Sequence, residues 1–175
     1  MTLDEALALL AGVPLTGSQP QTWADLGCGA GLFAYALAHA LPPGSLIHAV
    51  DKEPAALHPL PHPQGVEIRP CQLDFVQEGL PFEALDGVLM ANSLHFVRDK
   101  TAFLQQTMPR LRPAAPWLMV EYDTRRPNPW VPFPIDAQGL QALFEKIGYR
   151  QFRKLGERPS LYGRAPLFAA LITHS

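Results

Sequence analysis

Ala24-Asp25-Leu26-Gly27-Cys28-Gly29-Ala30-Gly31-Leu32-Phe33 sets three glycines at alternate positions between an apolar run and a helical pattern. Glycine carries no Cβ and tolerates positive φ. Gly27, Gly29 and Gly31 therefore permit a sharp strand-to-helix turn and let ligand atoms approach the main chain closely. That geometry suits a nucleotide-like ligand. A ligand-free turn in an α/β domain carries the same local signature, so the rest of the chain has to separate the two readings.

Outward from the turn, strands and helices alternate. Thr22 to Leu26 reads as a short buried strand and Leu32 to Leu41 as an Ala/Leu-rich helix ended by Pro42-Pro43-Gly44. Ser45 to Val50 follows as a strand with Asp51 at its carboxyl end, and Pro54 opens a brief helix cut off by prolines. A third strand runs from Val66 to Pro70 or a little beyond, leaving Asp74 past its end. Leu85 to Ala91 is nearly continuous and apolar, as a central strand should be, and Asn92-Ser93-Leu94-His95-Phe96 emerges from it. Asp99 caps a helix through Leu111, Trp117 to Tyr122 forms a fifth strand, and Asp136 caps a helix ending near Gly148. Tyr149 to Leu155 and Leu161 to Ile172 supply two last strands, while Thr2 to Leu10 is a short N-terminal helix with a Thr2/Glu5 capping box. The alternation implies an α/β fold with a mostly parallel, doubly wound sheet. The final pair of strands implies an antiparallel hairpin at one edge.

Composition narrows the function classes. The 175 residues fit one domain, 47% are hydrophobic and 17% charged, and the formal net charge is −2. Nothing in that balance points to nucleic acid, and no apolar stretch nears the roughly 20 residues that span a bilayer. Asp4 and Glu5 stand near the N-terminus where a leader would be basic, so the expected location is cytoplasmic. Cys28 and Cys71 do not make a disulfide framework and lack partners at zinc-ligand spacing. His58 and His62 lack acidic or Cys companions, so no metal is expected. The 19 prolines cluster at His58 to Pro70 and Arg126 to Pro134, which read as rigid loops.

A dinucleotide fingerprint G-x-G-x-x-G/A needs a small residue where Leu32 stands, which disfavours a hydride-transferring enzyme. An acidic residue two positions before G-x-G-x-G resembles motif I of the class I S-adenosylmethionine-dependent methyltransferases, and Asp25, Gly27, Gly29 and Gly31 carry the resemblance. It extends from about Gln21 onward. It implies a seven-stranded sheet of order 3-2-1-4-5-7-6 with strand 7 antiparallel, helices on both faces, and S-adenosylmethionine as cofactor. The whole chain would be one such domain, without the long N-terminal extension that covers the acceptor in many relatives, since only about twenty residues precede motif I.

Polar residues fall at the carboxyl ends of the strands, where open α/β sheets bind ligands. Asp51, with Lys52 beside it, is placed to accept hydrogen bonds from two ribose hydroxyls; the alternative is an ordinary capping Asp before Lys52-Glu53-Pro54. The resemblance implies that Asp74 holds the adenine amino group with Leu73 or Phe75 against the ring, and the alternative is an exposed turn residue. It also implies methionine-amine contacts for Asp25, backbone contacts to the methionine carboxylate from Cys28 and Ala30, and cofactor contacts from Asn92 and Ser93. His95 lies where such enzymes line the reaction centre and could accept a proton, or could equally be a packed histidine. Tyr122 and Asp123 are second candidates for that base.

Glu121, Tyr122, Asp123, Arg125, Arg126 and Trp130 could face the acceptor, with Arg125 and Arg126 holding an anionic group or forming a solvated loop face. The resulting expectation is methyl transfer to an oxygen, nitrogen or carbon of a small molecule. A catalytically inactive binding module and a macromolecular acceptor stay as alternatives. Asn92-Ser93-Leu94-His95 departs from the Asn/Asp-Pro-Pro-Tyr/Phe pattern of enzymes that methylate amino groups of DNA bases and glutamine. With so short an N-terminal segment, the Pro-rich loop, a second subunit in a homodimer, or a large acceptor would close the site. The proline content favours a rigid rim.

Overall fold

In the computed structural model, which describes residues 1–13, 18–54, 57–159 and 165–174, seven strands form one sheet. They are β1 (Thr22–Leu26), β2 (Leu46–Asp51), β3 (Glu67–Gln72), β4 (Gly87–Ala91), β5 (Trp117–Tyr122), β6 (Gln151–Arg158) and β7 (Leu167–Thr173). The order is β3-β2-β1-β4-β5-β7-β6, and β7 runs antiparallel to both neighbours, as the resemblance implied. Helices α1 (Leu3–Leu9) and α2 (Leu32–Ala38) cover one face, and α3 (Lys100–Thr107) and α4 (Ala137–Glu145) the other.

The two-residue period of the strands sorts the core. Trp23, Ile47, Leu89 and Leu118 pack with Phe33 and Leu37 of α2. Their neighbours Ala24, Val50, Val88 and Trp117 pack with Phe103, Leu104 and Phe144 on the opposite face. Trp23 and Trp117 are fully buried, each contributing on the order of 1.5–3 kcal/mol by leaving water. Gly87 makes this possible, because a Cβ there would run into the Trp23 indole.

Capping residues act as their sequence suggests. Thr2 and Glu5 form the full capping box, Asp99 accepts from Ala102 N at 3.0 Å, and Asp136 accepts from Gly139 N at 2.9 Å. The helix expected to reach Leu111 ends at Thr107 and tightens into a 3-10 turn over Met108–Arg110, where Pro109 has no N–H to continue an α-helical ladder. The brief helix expected from Pro54, cut off by the prolines, falls largely on residues that are not described. Ala55 and Ala56 lie outside the described residues, and residues 57–64 form no helix. Prolines 59, 61 and 63 deny it donors, and the segment instead straps the glycine turn, with His58 N donating to Ala30 O at 3.0 Å. β6 starts two residues later than expected and β7 at Leu167; residues 160–164 lie outside the described residues. Among the described residues no helix is long and apolar enough to cross a membrane.

Candidate active site

The sheet changes direction of winding between β1 and β4, and the two strands end side by side. Gly27, Gly29 and Gly31 all have positive φ, at 81°, 52° and 88°. They serve different ends. A Cβ on Gly27 would strike Ser93, and one on Gly31 would press on Leu57 and Tyr35, whereas one on Gly29 would enter open space. The first and third glycines fit the protein to itself, and the middle one leaves a bare surface.

The turn is pinned from several sides. Gly27 N and Cys28 N donate to Val50 O at 2.8 and 3.0 Å, Gly31 N donates to Cys28 O at 2.8 Å, and Ser93 Oγ donates to Leu26 O at 2.5 Å. Cys28 therefore spends both backbone groups on the turn, and they do not face outward as the sequence reading had them. Burial, helped by the charges of Asp25 and Asp51, pushes its thiol up to about 12, which leaves no thiolate nucleophile.

Asp25 is buried at 1% exposure, and neither carboxylate oxygen has a hydrogen-bond partner. Burial first, and the charge of Asp51 second, push its pKa up to about 7; the Ala34 amide opposes this without reaching hydrogen-bond geometry. Asn92, in the left-handed region at φ 54°, buries an Oδ1 that also lacks a partner. Among the described residues these are the buried side-chain polar atoms left unsatisfied, and they flank the point where β1 and β4 end. Such acceptors call for donors from a ligand. An adenosyl amino acid, with its ammonium, ribose hydroxyls and adenine amino group, has donors of the required kind.

Beside Asn92 opens a cleft of about 340 Å³ whose walls include Gly27, Asp51, Lys52, Asp74, Phe75, Ser93 and Phe96, while Asp25 stays buried outside that lining. Asp51 already accepts from Gly29 N at 2.9 Å and from Glu53 N at 3.1 Å, so it holds the glycine turn and no helix. A carboxylate has about four acceptor positions, which leaves two for a ligand. Asp74 Oδ1 takes the amides of Val76 and Gln77 at 3.1 and 3.2 Å, so it also closes a turn, as the alternative reading had it. Phe75 lines the cleft with its ring 5.6 Å from that of Phe103, while Leu73 turns into the core and does not line it.

A second cleft of about 820 Å³ adjoins the first, sharing Asn92 and Phe96, and is lined further by His95, Tyr122, Arg126 and Trp130. His95 is 3% exposed and lies with Nδ1 2.6 Å from Glu121 Oε2, while its backbone N donates to Glu121 Oε1 at 3.2 Å. Glu121, expected to face the acceptor, is turned inward. The strand period carries the signal: Glu121 shares parity with the buried Trp117 and Met119, so its carboxylate had to be buried and partnered. Nδ1 is taken up by Glu121, which leaves Nε2 as the ring nitrogen outside that contact.

Two further expectations do not reach the cleft. Asp123 accepts from Ala137 N at 2.9 Å and so holds the start of α4, and Arg125 is drawn to Asp136 at 2.5 Å and Gln138 at 3.2 Å. Arg126 alone of the arginine pair lines the cleft. The rim is tied down, since Phe133 N donates to His95 O at 3.0 Å and Lys100 Nζ donates to Val97 O and Phe133 O at 2.9 and 2.7 Å.

A family described as "Methyltransferase domain" matches residues 24–116, more than half of the sequence. The chain belongs to the methyltransferase family. No curated protein matches the sequence. Among solved structures, an S-adenosylmethionine-dependent methyltransferase from Methanosarcina mazei superposes with a TM-score of 0.60 at 15% identity, covering 90% of this chain and 93% of that one. The 1,6-didemethyltoxoflavin-N1-methyltransferase of Burkholderia thailandensis gives 0.66 at 19% identity over 98% and 77% of the two chains. The mitomycin 7-O-methyltransferase gives 0.63 at 20% identity, and this chain spans 54% of its length. These likenesses establish the class I methyltransferase fold. The family match stops before β5, so Glu121 and the rim of the larger cleft lie beyond it.

Proposed function

We propose that this methyltransferase transfers a methyl group from S-adenosylmethionine to a small-molecule acceptor that gives up a proton, a hydroxyl or an N–H, with His95 as general base. The buried His95–Glu121 pair beside the larger cleft carries the reading. Asp25, Gly29, Asp51 and Asn92 would hold the cofactor with Phe75 against its adenine and Asp74 at the adenine amino group; Gly27, Gly31 and Ser93 shape the turn. When bound, S-adenosylmethionine supplies a methyl already activated by a sulfonium sulfur, so little covalent chemistry is left to the protein. The chain's part is to place the acceptor and receive its proton. Glu121 fixes the tautomer and ring plane of His95 and stabilises the imidazolium as it forms. Tyr122, its ring 6.4 Å from that of His95, supports the same wall.

The test is release of S-adenosylhomocysteine over a panel of hydroxyl and amine acceptors. His95→Ala is expected to slow turnover roughly a hundred- to ten-thousandfold while cofactor affinity, measured by calorimetry, stays the same. Undiminished turnover in that variant would remove His95 from the chemistry.

A further inference from the structure

Exposed apolar side chains are unevenly placed in this molecule. Among the described residues the large ones open to solvent are Met1, Val76, Phe96 and Trp130, and the two aromatic ones, 58% and 65% exposed, both line the cleft beside His95. Largely exposed aromatic rings lining one cleft offer apolar area to a flat ligand. Neither ring depends on a loose loop. Trp130 stands in a tight turn closed by reciprocal Asn128–Val131 backbone hydrogen bonds of 3.1 Å, and the Asn128 side chain accepts from Trp130 N at 3.0 Å. The Phe133–His95 backbone bond and the Lys100 bridge fasten that segment to the one bearing Phe96. The third element is charge. Arg126 reaches the same cleft, and among the described residues its guanidinium has no ion pair, whereas Arg125 is consumed by Asp136 and Gln138. A guanidinium of this kind pairs with a carboxylate in a forked geometry.

The geometry points to a planar, hydroxylated aromatic acid as the acceptor: its rings lie between Phe96 and Trp130, its carboxylate on Arg126 and its hydroxyl at His95. This rests on the preceding reading of His95 as base. A cleft of about 820 Å³ is larger than a single ring needs, so a fused two- or three-ring system fits best. The balance is simple. The hydroxyl oxygen bonds to the methyl carbon as the carbon–sulfur bond breaks, the hydroxyl proton passes to His95 Nε2, and the products are an aryl methyl ether and S-adenosylhomocysteine.

Calorimetric titration of the full chain saturated with S-adenosylhomocysteine would use the positional isomers of hydroxy-2-naphthoate, the matching hydroxynaphthamides and the ring-saturated hydroxy acids. At least one isomer should bind, with its amide and its saturated counterpart each about tenfold weaker. Trp130→Ala should weaken acid and amide alike. Arg126→Ala should bring the acid down to the level of the amide and leave the amide unchanged. No binding by any isomer, equal binding of the saturated acids, or indifference of the acid to Arg126→Ala would overturn the assignment. Binding as expected, followed by methylation that His95→Ala does not slow, would uphold the aromatic-acid site and refute His95 as the base.

Discussion

The two clefts share Asn92 and Phe96 and are built in opposite ways. The smaller is made from a backbone turn and short polar side chains, each within a residue or two of a strand end. Asp51 is partly spent on holding that turn and Asp74 on a turn of its own, while Asp25, outside the lining, is buried without partners. The larger is made from long side chains delivered by separate segments, and its decisive pair, His95 and Glu121, meets across β4 and β5. One site is preorganised by main-chain geometry and the other by side-chain packing. Cofactor binding and acceptor choice should then be separable by mutation.

The largest expected separation comes from Gly29→Val. Its Cβ meets nothing in the protein but occupies the bare surface of the turn, and the positive φ costs a β-branched residue about 1–2 kcal/mol. Calorimetry should lose S-adenosylmethionine binding while thermal unfolding stays cooperative and only modestly lowered. Retained cofactor affinity would break the contrast.

Next comes Asp25→Asn. The carboxyl is raised from 3.8 to about 7, so the unfolded chain loses this proton near pH 4 while the native protein keeps it to near pH 7. Native stability therefore falls as pH rises through that interval and levels off above it. Removing the charge should stabilise the protein at pH 8 by on the order of 2–4 kcal/mol and flatten the pH profile. Cofactor affinity should fall in the same variant, because an anionic acceptor is gone. Urea denaturation at pH 5 and pH 8 checks the first effect, and a destabilised variant at pH 8 would refute it.

The smallest effect sharpens the comparison on the acceptor side. Arg125 is 65% exposed in its ion pair with Asp136, so Arg125→Ala should cost no more than about 1 kcal/mol and leave acceptor binding alone. A loss of acceptor affinity equal to that of Arg126→Ala would place both arginines at the ligand.

Legibility followed the same division. The glycine turn, the strand cores and the caps at Thr2, Asp99 and Asp136 were readable because each depends on φ preference, on a period of two, or on a hydrogen bond spanning three residues. The non-helical strap from His58 onward was readable for a local reason as well, since Pro59, Pro61 and Pro63 supply no backbone donors. Adjacent residues that look alike in the chain were not separable. Glu121 and Tyr122 take different partners because neighbouring side chains on a strand point in opposite directions, whereas Asp123 and Arg125, past the end of β5, are drawn to the start of α4 and leave Arg126 at the cleft.

By itself, then, the order of residues determined where the chain turns sharply, which faces of its strands are apolar, and that polar groups gather at the strand ends. Only the tertiary structure decided that Glu121 grips His95, that Asp123 holds α4 instead of a substrate, and that Phe96 and Trp130 wall one cleft. Local geometry follows from sterics and short hydrogen bonds within a few residues. Partnership between distant side chains follows from strand order and packing, and those exist only once the whole sheet has formed.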